Sequence, residues 1–161
     1  RLNERLGFHT VTDCTLFYPL PLKALRPSSA RLITLASAQP GTLTSETREM
    51  LEDHARLGCI VAIMQADGRH YPLVFLKTAT KRAPSARLIY CEDRAVVQRH
   101  ISAIARHLLR HGRFAMTMAA LEGERNAGGF AAHKSAPIQV KGAWNPQFIN
   151  ETYSELVLLP P

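Results

Sequence analysis

One stretch of the chain, residues 86–121, constrains the fold most because its pattern predicts a strand, a long helix and a second strand. Residues 87–91 are apolar and favour a strand, and Asp93 directly after them is a good helix N-cap. Gly112 can end the helix, and a second apolar run follows over residues 114–121. The apolar positions of the helix share one stripe and are Val97, Ile101, Ile104, Ala105 and Leu108.

Two strands joined by a helical crossover of this length are expected to lie parallel in one sheet. Ligands of such sheets bind outside the carboxyl ends of the strands, so we expect any site near residues 91–98. The predicted elements elsewhere are a strand over 30–36, a helix over 45–58, a hairpin over 59–78 that turns at Asp67-Gly68, a loop or a broken short helix over 122–134, and strands over 137–142 and 154–159. The fold class that follows is α/β, or α+β, with a mixed sheet and helices on its faces.

The proline-rich segment between Pro19 and Pro27 predicts a stiff linker or edge segment, because proline lacks a ladder donor. At 161 residues, the chain has the size of one ordinary domain. Its 46% of apolar and 20% of charged residues are typical of a folded protein. No apolar run reaches the roughly 18 residues of a membrane span, and no signal-peptide pattern is present. We therefore expect a cytoplasmic protein with no membrane partner.

The three cysteines, Cys14, Cys59 and Cys91, are far apart and lie in or beside apolar runs. Their spacing favours buried, reduced thiols over a disulfide framework or a zinc site. His107 and His111 have the spacing that can chelate zinc, but Leu108 stands where a metalloprotease pattern needs Glu. Together with His100 they are interpreted as a titrating surface cluster, and no metal site is predicted.

The formal net charge of +7 favours an anionic partner: nucleic acid, a phosphorylated cofactor or a membrane surface. Much of the charge lies on one face of the long helix, at Arg99, Arg106, Arg110 and Arg113. A solvated helix face is the favoured explanation of this pattern, because a helix with a buried stripe must also have a polar side. Aromatic residues are not interleaved with the arginines, so nucleic-acid binding rests on charge alone and is the least favoured reading.

The order of elements over residues 30–159 resembles the GNAT superfamily of acyl-CoA N-acyltransferases. In that family, the strand before the long helix separates from its neighbour to make room for the acyl-CoA thioester. Backbone amides at the start of the helix hold the pyrophosphate, a use of helix N-termini with a general physical basis. The resemblance implies a GNAT-like mixed sheet flanked by helices.

The family's phosphate motif is Gln or Arg, two residues, Gly, one residue, and Gly or Ala. Its nearest match here is Gln98-Arg99-His100-Ile101-Ser102-Ala103, in which Ile101 replaces the central glycine. A β-branched side chain would project where the cofactor passes. The resemblance implies acetyl-CoA or another acyl-CoA as substrate, held by a set of six residues: Cys91, Arg94, Gln98, Arg99, Ile101 and Ala103.

N-acyl transfer needs a base for the acceptor amine and a proton donor for the leaving thiolate. Glu92, directly after the strand predicted over residues 87–91, is the candidate base. Tyr153, before the last predicted strand, is the candidate acid. A solvated carboxylate and a packed tyrosine are the structural alternatives.

The first residues of the chain show a second resemblance to the family. The run Asn3-Glu4-Arg5-Leu6-Gly7-Phe8 resembles a family signature of Tyr, three residues and Gly-Phe, with Asn3 in place of the Tyr. We therefore expect residues 1–22 to be the tail of a preceding GNAT-like unit, or an N-terminal arm, and residues 23–161 to be a GNAT-like domain.

Two function classes follow. The first is an acyl-CoA-dependent N-acyltransferase that acts on a small-molecule acceptor. The second is a catalytically silent GNAT-like module for assembly or ligand binding. It is favoured by Ile101 and by the absence of the signature's Tyr, both at Asn3 and in the corresponding later run Glu124–Phe130. The partner expected for either is a preceding GNAT-like domain or a second copy of the chain.

Overall fold

The computed structural model describes residues 8–79, 83–120, 130–141 and 149–151. The strands are β1 (Phe8–Pro19), β2 (Arg31–Ile33), β3 (Ile60–Ala66), β4 (Arg69–Ala79), β5 (Pro84–Cys91), β6 (Ala115–Ala119), β7 (Phe130–Lys141) and β8 (Ile149–Asn150). The helices are α1 (Leu20–Ala24), α2 (Ser45–Arg56), α3 (Arg94–Arg99) and α4 (Ile101–Arg110), with a 3-10 turn over Leu35–Ser37.

The eight described strands form one mixed sheet in the order β2-β3-β4-β5-β6-β1-β7, and β8 pairs with β5 beside this path. Only β5 and β6 pair in parallel, and the other described pairs are antiparallel. The predicted mixed sheet with flanking helices is therefore confirmed. The parallel pair is the one predicted from residues 86–121.

Local signals explain the crossover between β5 and β6. The Asp93 carboxylate accepts hydrogen bonds from the backbone N–H groups of Ala95 and Val96, so it caps α3. Gly112 follows α4 with φ of 69°, a left-handed conformation that glycine adopts without strain. The helix predicted as continuous is divided at His100, whose N–H still bonds to Val96 while its carbonyl starts α4.

The core lies on both faces of the sheet, because successive strand residues point to opposite sides. The larger cluster packs β3, β4, β5 and β6 against α4 and includes Met64, Leu73, Leu88, Ile104 and Leu108. The smaller cluster lies on the face of α2 and includes Leu51, Ile63, Val74, Ile89 and Tyr90. Helices on both faces bury most of β5, which positions its carboxyl end firmly.

Other segments also differ from the prediction. The strand predicted over 30–36 ends at Ile33, before the 3-10 turn over Leu35–Ser37. Within the proline-rich segment, Leu20–Ala24 forms the short helix α1, with Pro21 in the first turn, where a missing N–H is tolerated. The predicted loop is wrong for residues 130–134, which belong to β7. The predicted strand over 154–159 lies outside the described residues.

The N-terminal segment joins the same sheet, since β1 pairs antiparallel with β6 on one edge and with β7 on the other. The division of the chain near residue 22 stays a prediction. No helix in the described residues is long and apolar enough to cross a membrane.

Candidate site at the ends of the parallel strands

The parallel strands separate early. Ser85–Arg87 of β5 pairs with Ala115–Thr117 of β6, and no pair between the two strands follows. The carboxyl end of β5 therefore continues without β6 beside it. This is the place where the sequence predicts a site.

Strand β8 occupies the edge that β6 leaves. Tyr90 and Cys91 of β5 pair antiparallel with Asn150 and Ile149. The same two residues of β5 also pair with β4 on their other edge. Because a strand has only two edges, β8 lies on the side of β6, and the chain itself fills the space beside the end of β5.

Several contacts hold β8 in place. The Ile149 side chain is buried in the larger core cluster. The backbone N–H of Glu151 donates to the carbonyl of Ile89 over 2.7 Å. The Arg87 guanidinium lies 2.9 Å from the Glu151 carboxylate, with both side chains mostly buried. Burial raises the pKa of Glu151, and Arg87 partly offsets that rise. The segment is thus anchored by apolar, backbone and charged contacts.

The start of α3 is already occupied by groups of the chain. The Asp93 carboxylate lies 2.9 and 3.1 Å from the N–H groups of Ala95 and Val96. Arg94 is only 1% exposed, and its guanidinium donates to the carbonyl of Ala119 at the end of β6. Arg94 therefore links the start of the helix to β6. The Asp93 carboxylate already accepts hydrogen bonds from the backbone N–H groups that a phosphate would need.

The residues of the predicted phosphate motif straddle the break between α3 and α4. Gln98 is half-buried, Ile101 packs against the larger core cluster, and Ala103 is buried within it. Arg99 is 62% exposed and forms an ion pair of 2.8 Å with Asp67, at the turn between β3 and β4. The structure therefore places Cys91 and Arg94 beside the strand ends and the other four residues beyond the first turn of the helix.

Cys91 is fully buried, and burial raises the pKa of its thiol to about 12. A backbone hydrogen bond from Ile149 and the charge of Arg94 lower that pKa only in part. A buried thiol with a raised pKa is a poor nucleophile. Cys59 is also a free, buried cysteine, so the predicted burial is confirmed for both described thiols.

Glu92, the candidate base, follows β5 directly and is exposed. The hydroxyl of Tyr90 donates to its Oε1 over 3.5 Å. Burial, and then the charge of Glu92, raise the pKa of Tyr90 to about 12, so this phenol stays neutral. The geometry leaves Glu92 accessible to a ligand at the strand end. Tyr153 lies outside the described residues, and the roles of both residues stay predictions.

Sequence reasoning missed a polar junction at the break between α3 and α4. His100 is buried; its Nδ1 lies 3.4 Å from Ser28 Oγ and its Nε2 3.8 Å from the Asp67 carboxylate. The Asp-Gly turn was recognisable, but nothing local in the sequence connects residues 28, 67 and 100. This junction joins the hairpin to the helices.

The predicted surface faces of the long helix are only partly correct. His100 and His107 are buried, whereas His111 is exposed. Arg106 is half-buried and donates to the carbonyls of Ala24 and Arg26, so it closes the end of α1. Among the described residues, no group of three or more His, Cys, Asp or Glu side chains is arranged to hold a metal ion.

The chain matches no protein family, no curated protein and no solved structure. The GNAT resemblance therefore stays an interpretation of element order and motifs. Function has to be argued from the geometry at the strand ends.

Proposed function

We propose that this chain is an accessory module on a GNAT-like plan, whose own strand β8 fills the cleft that the resemblance assigns to acyl-CoA. The observation that carries this proposal is the pairing of β8 with Tyr90 and Cys91, directly beyond the last pair between β5 and β6. A strand that bonds to the β5 backbone excludes any other ligand from the same donors and acceptors. The module then serves assembly or binding and does not transfer acyl groups.

The start of α3 supports the same proposal. A pyrophosphate at a helix start needs open backbone amides and favourable charge. Here the Asp93 carboxylate bonds to those amides and would repel a phosphate, and Arg94 is turned into the protein. Ile101 adds a β-branched side chain where the family's motif has glycine. The charge and the hydrogen bonds at the start of α3 therefore disfavour a phosphorylated cofactor.

The second candidate is an acyl-CoA-dependent N-acyltransferase, for which acetyl-CoA is the acyl donor to test. One observation favours it: the parallel strands separate after Arg87 and leave Glu92 accessible at the carboxyl end of β5. In this reaction the acceptor nitrogen attacks the thioester carbonyl, Glu92 takes the amine proton, and the thiolate leaves with a proton from Tyr153. The candidate requires β8 to leave the edge of β5 before acyl-CoA binds.

Calorimetric titration with coenzyme A and acetyl-CoA separates the two candidates. The chain is compared with Ile149→Ser, which removes the buried apolar anchor of β8, and with Leu57→Ser, a matched change at a leucine that is 52% exposed. Circular dichroism first verifies that each variant is folded. The accessory module predicts no saturable heat for any of the three proteins.

Two outcomes would overturn the accessory module. Saturable binding by the unmodified chain that Arg99→Ala weakens would show a working cofactor site. Binding that appears only in Ile149→Ser, and not in Leu57→Ser, would show that β8 covers a cleft that still accepts acyl-CoA. Either result would favour the acyltransferase and justify a screen of small amine acceptors.

A further inference from the structure

The last turn of α4 brings two histidines together, away from the strand ends. His107 and His111 are four residues apart, so they share one face of the helix. Their ring centroids are 4.8 Å apart, and the ring planes are inclined by 54°. The rings are therefore neighbours that do not stack face to face.

His107 is unusual for a buried histidine. It is 8% exposed, and its Nε2 is buried with no hydrogen-bond partner among the described residues. Buried polar atoms in proteins nearly always have a partner, and an exception requires an explanation such as an ion that the protein binds. His111 is exposed beside it, so one member of the pair is open to solvent.

We propose that His107 and His111 together bind a divalent transition-metal cation of the Cu²⁺ and Zn²⁺ class. Imidazole nitrogens favour these ions over Mg²⁺ and Ca²⁺, which prefer oxygen ligands. Two histidines one turn apart are also the arrangement by which helical metal sites present a pair of imidazoles to one ion. Water completes the coordination, because only two protein ligands are assigned.

The surroundings predict moderate affinity. Arg110 is exposed next to the pair, and Arg113 donates through Nε to the carbonyl of His111. These positive charges repel the bound metal ion, so they weaken its binding relative to a site that contains carboxylates. The bound ion would join the last turn of α4 to its C-cap and stabilise the folded chain by mass action.

Titration of the untagged chain with Cu²⁺, followed by electron paramagnetic resonance, tests the site directly, because the nitrogen hyperfine pattern counts the coordinating imidazoles. We expect one site with two imidazole nitrogens. The exposed-residue variant His111→Ala should lose one nitrogen and at least about tenfold in affinity, since a chelate becomes a single contact. The matched control is His70→Ala, which removes an exposed histidine on β4 and should leave affinity unchanged.

A second measurement does not depend on any variant. Zn²⁺ added to the nitrogen-15 labelled chain should shift the ring nitrogen resonances of His107 and His111 together, with the other histidines unaffected. Three results would each overturn the proposal. They are Cu²⁺ coordination by a single imidazole nitrogen in the unmodified chain, an affinity unchanged in His111→Ala, and a shift at His111 without one at His107. The expected pattern in both experiments would establish the pair as a metal site.

Discussion

The hairpin of β3 and β4 and the parallel pair of β5 and β6 join neighbouring strands in opposite ways. The hairpin strands pair without interruption from the turn to the pair of Ile60 and Phe75. The parallel strands pair over three residues of each and then separate. A two-residue turn sets the hairpin register locally, whereas a helical crossover leaves the parallel strands to be held by distant parts of the chain.

Those distant parts are identifiable. Arg94 bonds to the end of β6, and β8 pairs with the end of β5 through residues about 60 positions further along the chain. The difference indicates that the register of the hairpin is set locally, whereas the strand ends depend on long-range contacts. Substitutions in the two regions should therefore differ in how much unfolding free energy they remove. They should also differ in whether a second substitution at a distant residue restores it.

The largest effect is expected for Arg87→Ala. It removes the guanidinium that lies 2.9 Å from the mostly buried Glu151 carboxylate, and breaking a buried ion pair typically costs about 3 kcal/mol or more. Urea unfolding measures the loss, with Arg31→Ala at an exposed position of β2 as the control. Burial raises the pKa of Glu151, so a buried neutral carboxyl is favoured as the pH falls. Loss of Arg87 raises this pKa further, so the destabilisation should be full only above the higher pKa of Glu151 in the variant and should shrink as acidification protonates Glu151.

A double replacement sharpens this result. Arg87→Leu combined with Glu151→Leu should regain most of the stability lost in Arg87→Ala, because apolar pairs can replace buried ion pairs. A loss in Arg87→Ala below about 1 kcal/mol, the range of exposed ion pairs, would contradict the view that this contact anchors β8.

The next effect is expected at the hairpin turn. Gly68 has φ of 71°, and a Cβ added there meets no atom within 4 Å. Gly68→Ala should therefore cost only the backbone strain of a left-handed residue, about 1 to 2 kcal/mol. Gly112→Ala, with φ of 69° after α4, is the matched change in the crossover and should cost a similar amount in thermal unfolding. A much larger loss at Gly68 would show that packing, and not the turn alone, sets the hairpin.

Substitution at the start of α3 should have a smaller effect. Asp93→Ala removes the carboxylate that bonds to Ala95 and Val96, and loss of an N-cap costs about 1 kcal/mol. Hydrogen exchange should show reduced protection at those two amides. The control is Thr44→Ala, which removes the cap of α2 by the same chemistry. Unchanged exchange at the Ala95 and Val96 amides would contradict the cap.

The sequence predicted the features that depend on neighbouring residues. Asp93, Gly112 and the Asp67-Gly68 turn each act within a few positions, and the structure has all three as expected. The insertion of β8 was not predictable, because it is a two-residue strand whose partner lies far away in the sequence. A strand this short carries no periodicity.

The same reasoning explains the errors on the long helix. Arginine and histidine spaced on one face predict solvent exposure only if nothing packs there. Here Arg106 meets the end of α1, and His100 meets the turn of the hairpin. Burial of Arg94 depends likewise on the end of β6, which no local pattern reveals. The region in which the sequence predicts a site is where β5 and β6 separate. The pairing of β8 there could be recognised only from the tertiary structure.

The smallest effect is expected for Arg99→Ala, where the two regions of the comparison meet. Its ion pair with Asp67 joins the helix break to the hairpin turn, but the side chains are 62% and 46% exposed. Exposed ion pairs contribute between about zero and 1 kcal/mol and weaken with salt. We expect a loss below about 0.5 kcal/mol at low salt that disappears at high salt. A larger, salt-independent loss would mean that His100 depends on Arg99 for its position near Asp67, and that the hairpin is coupled to the strand ends more tightly than its uninterrupted local pairing suggests.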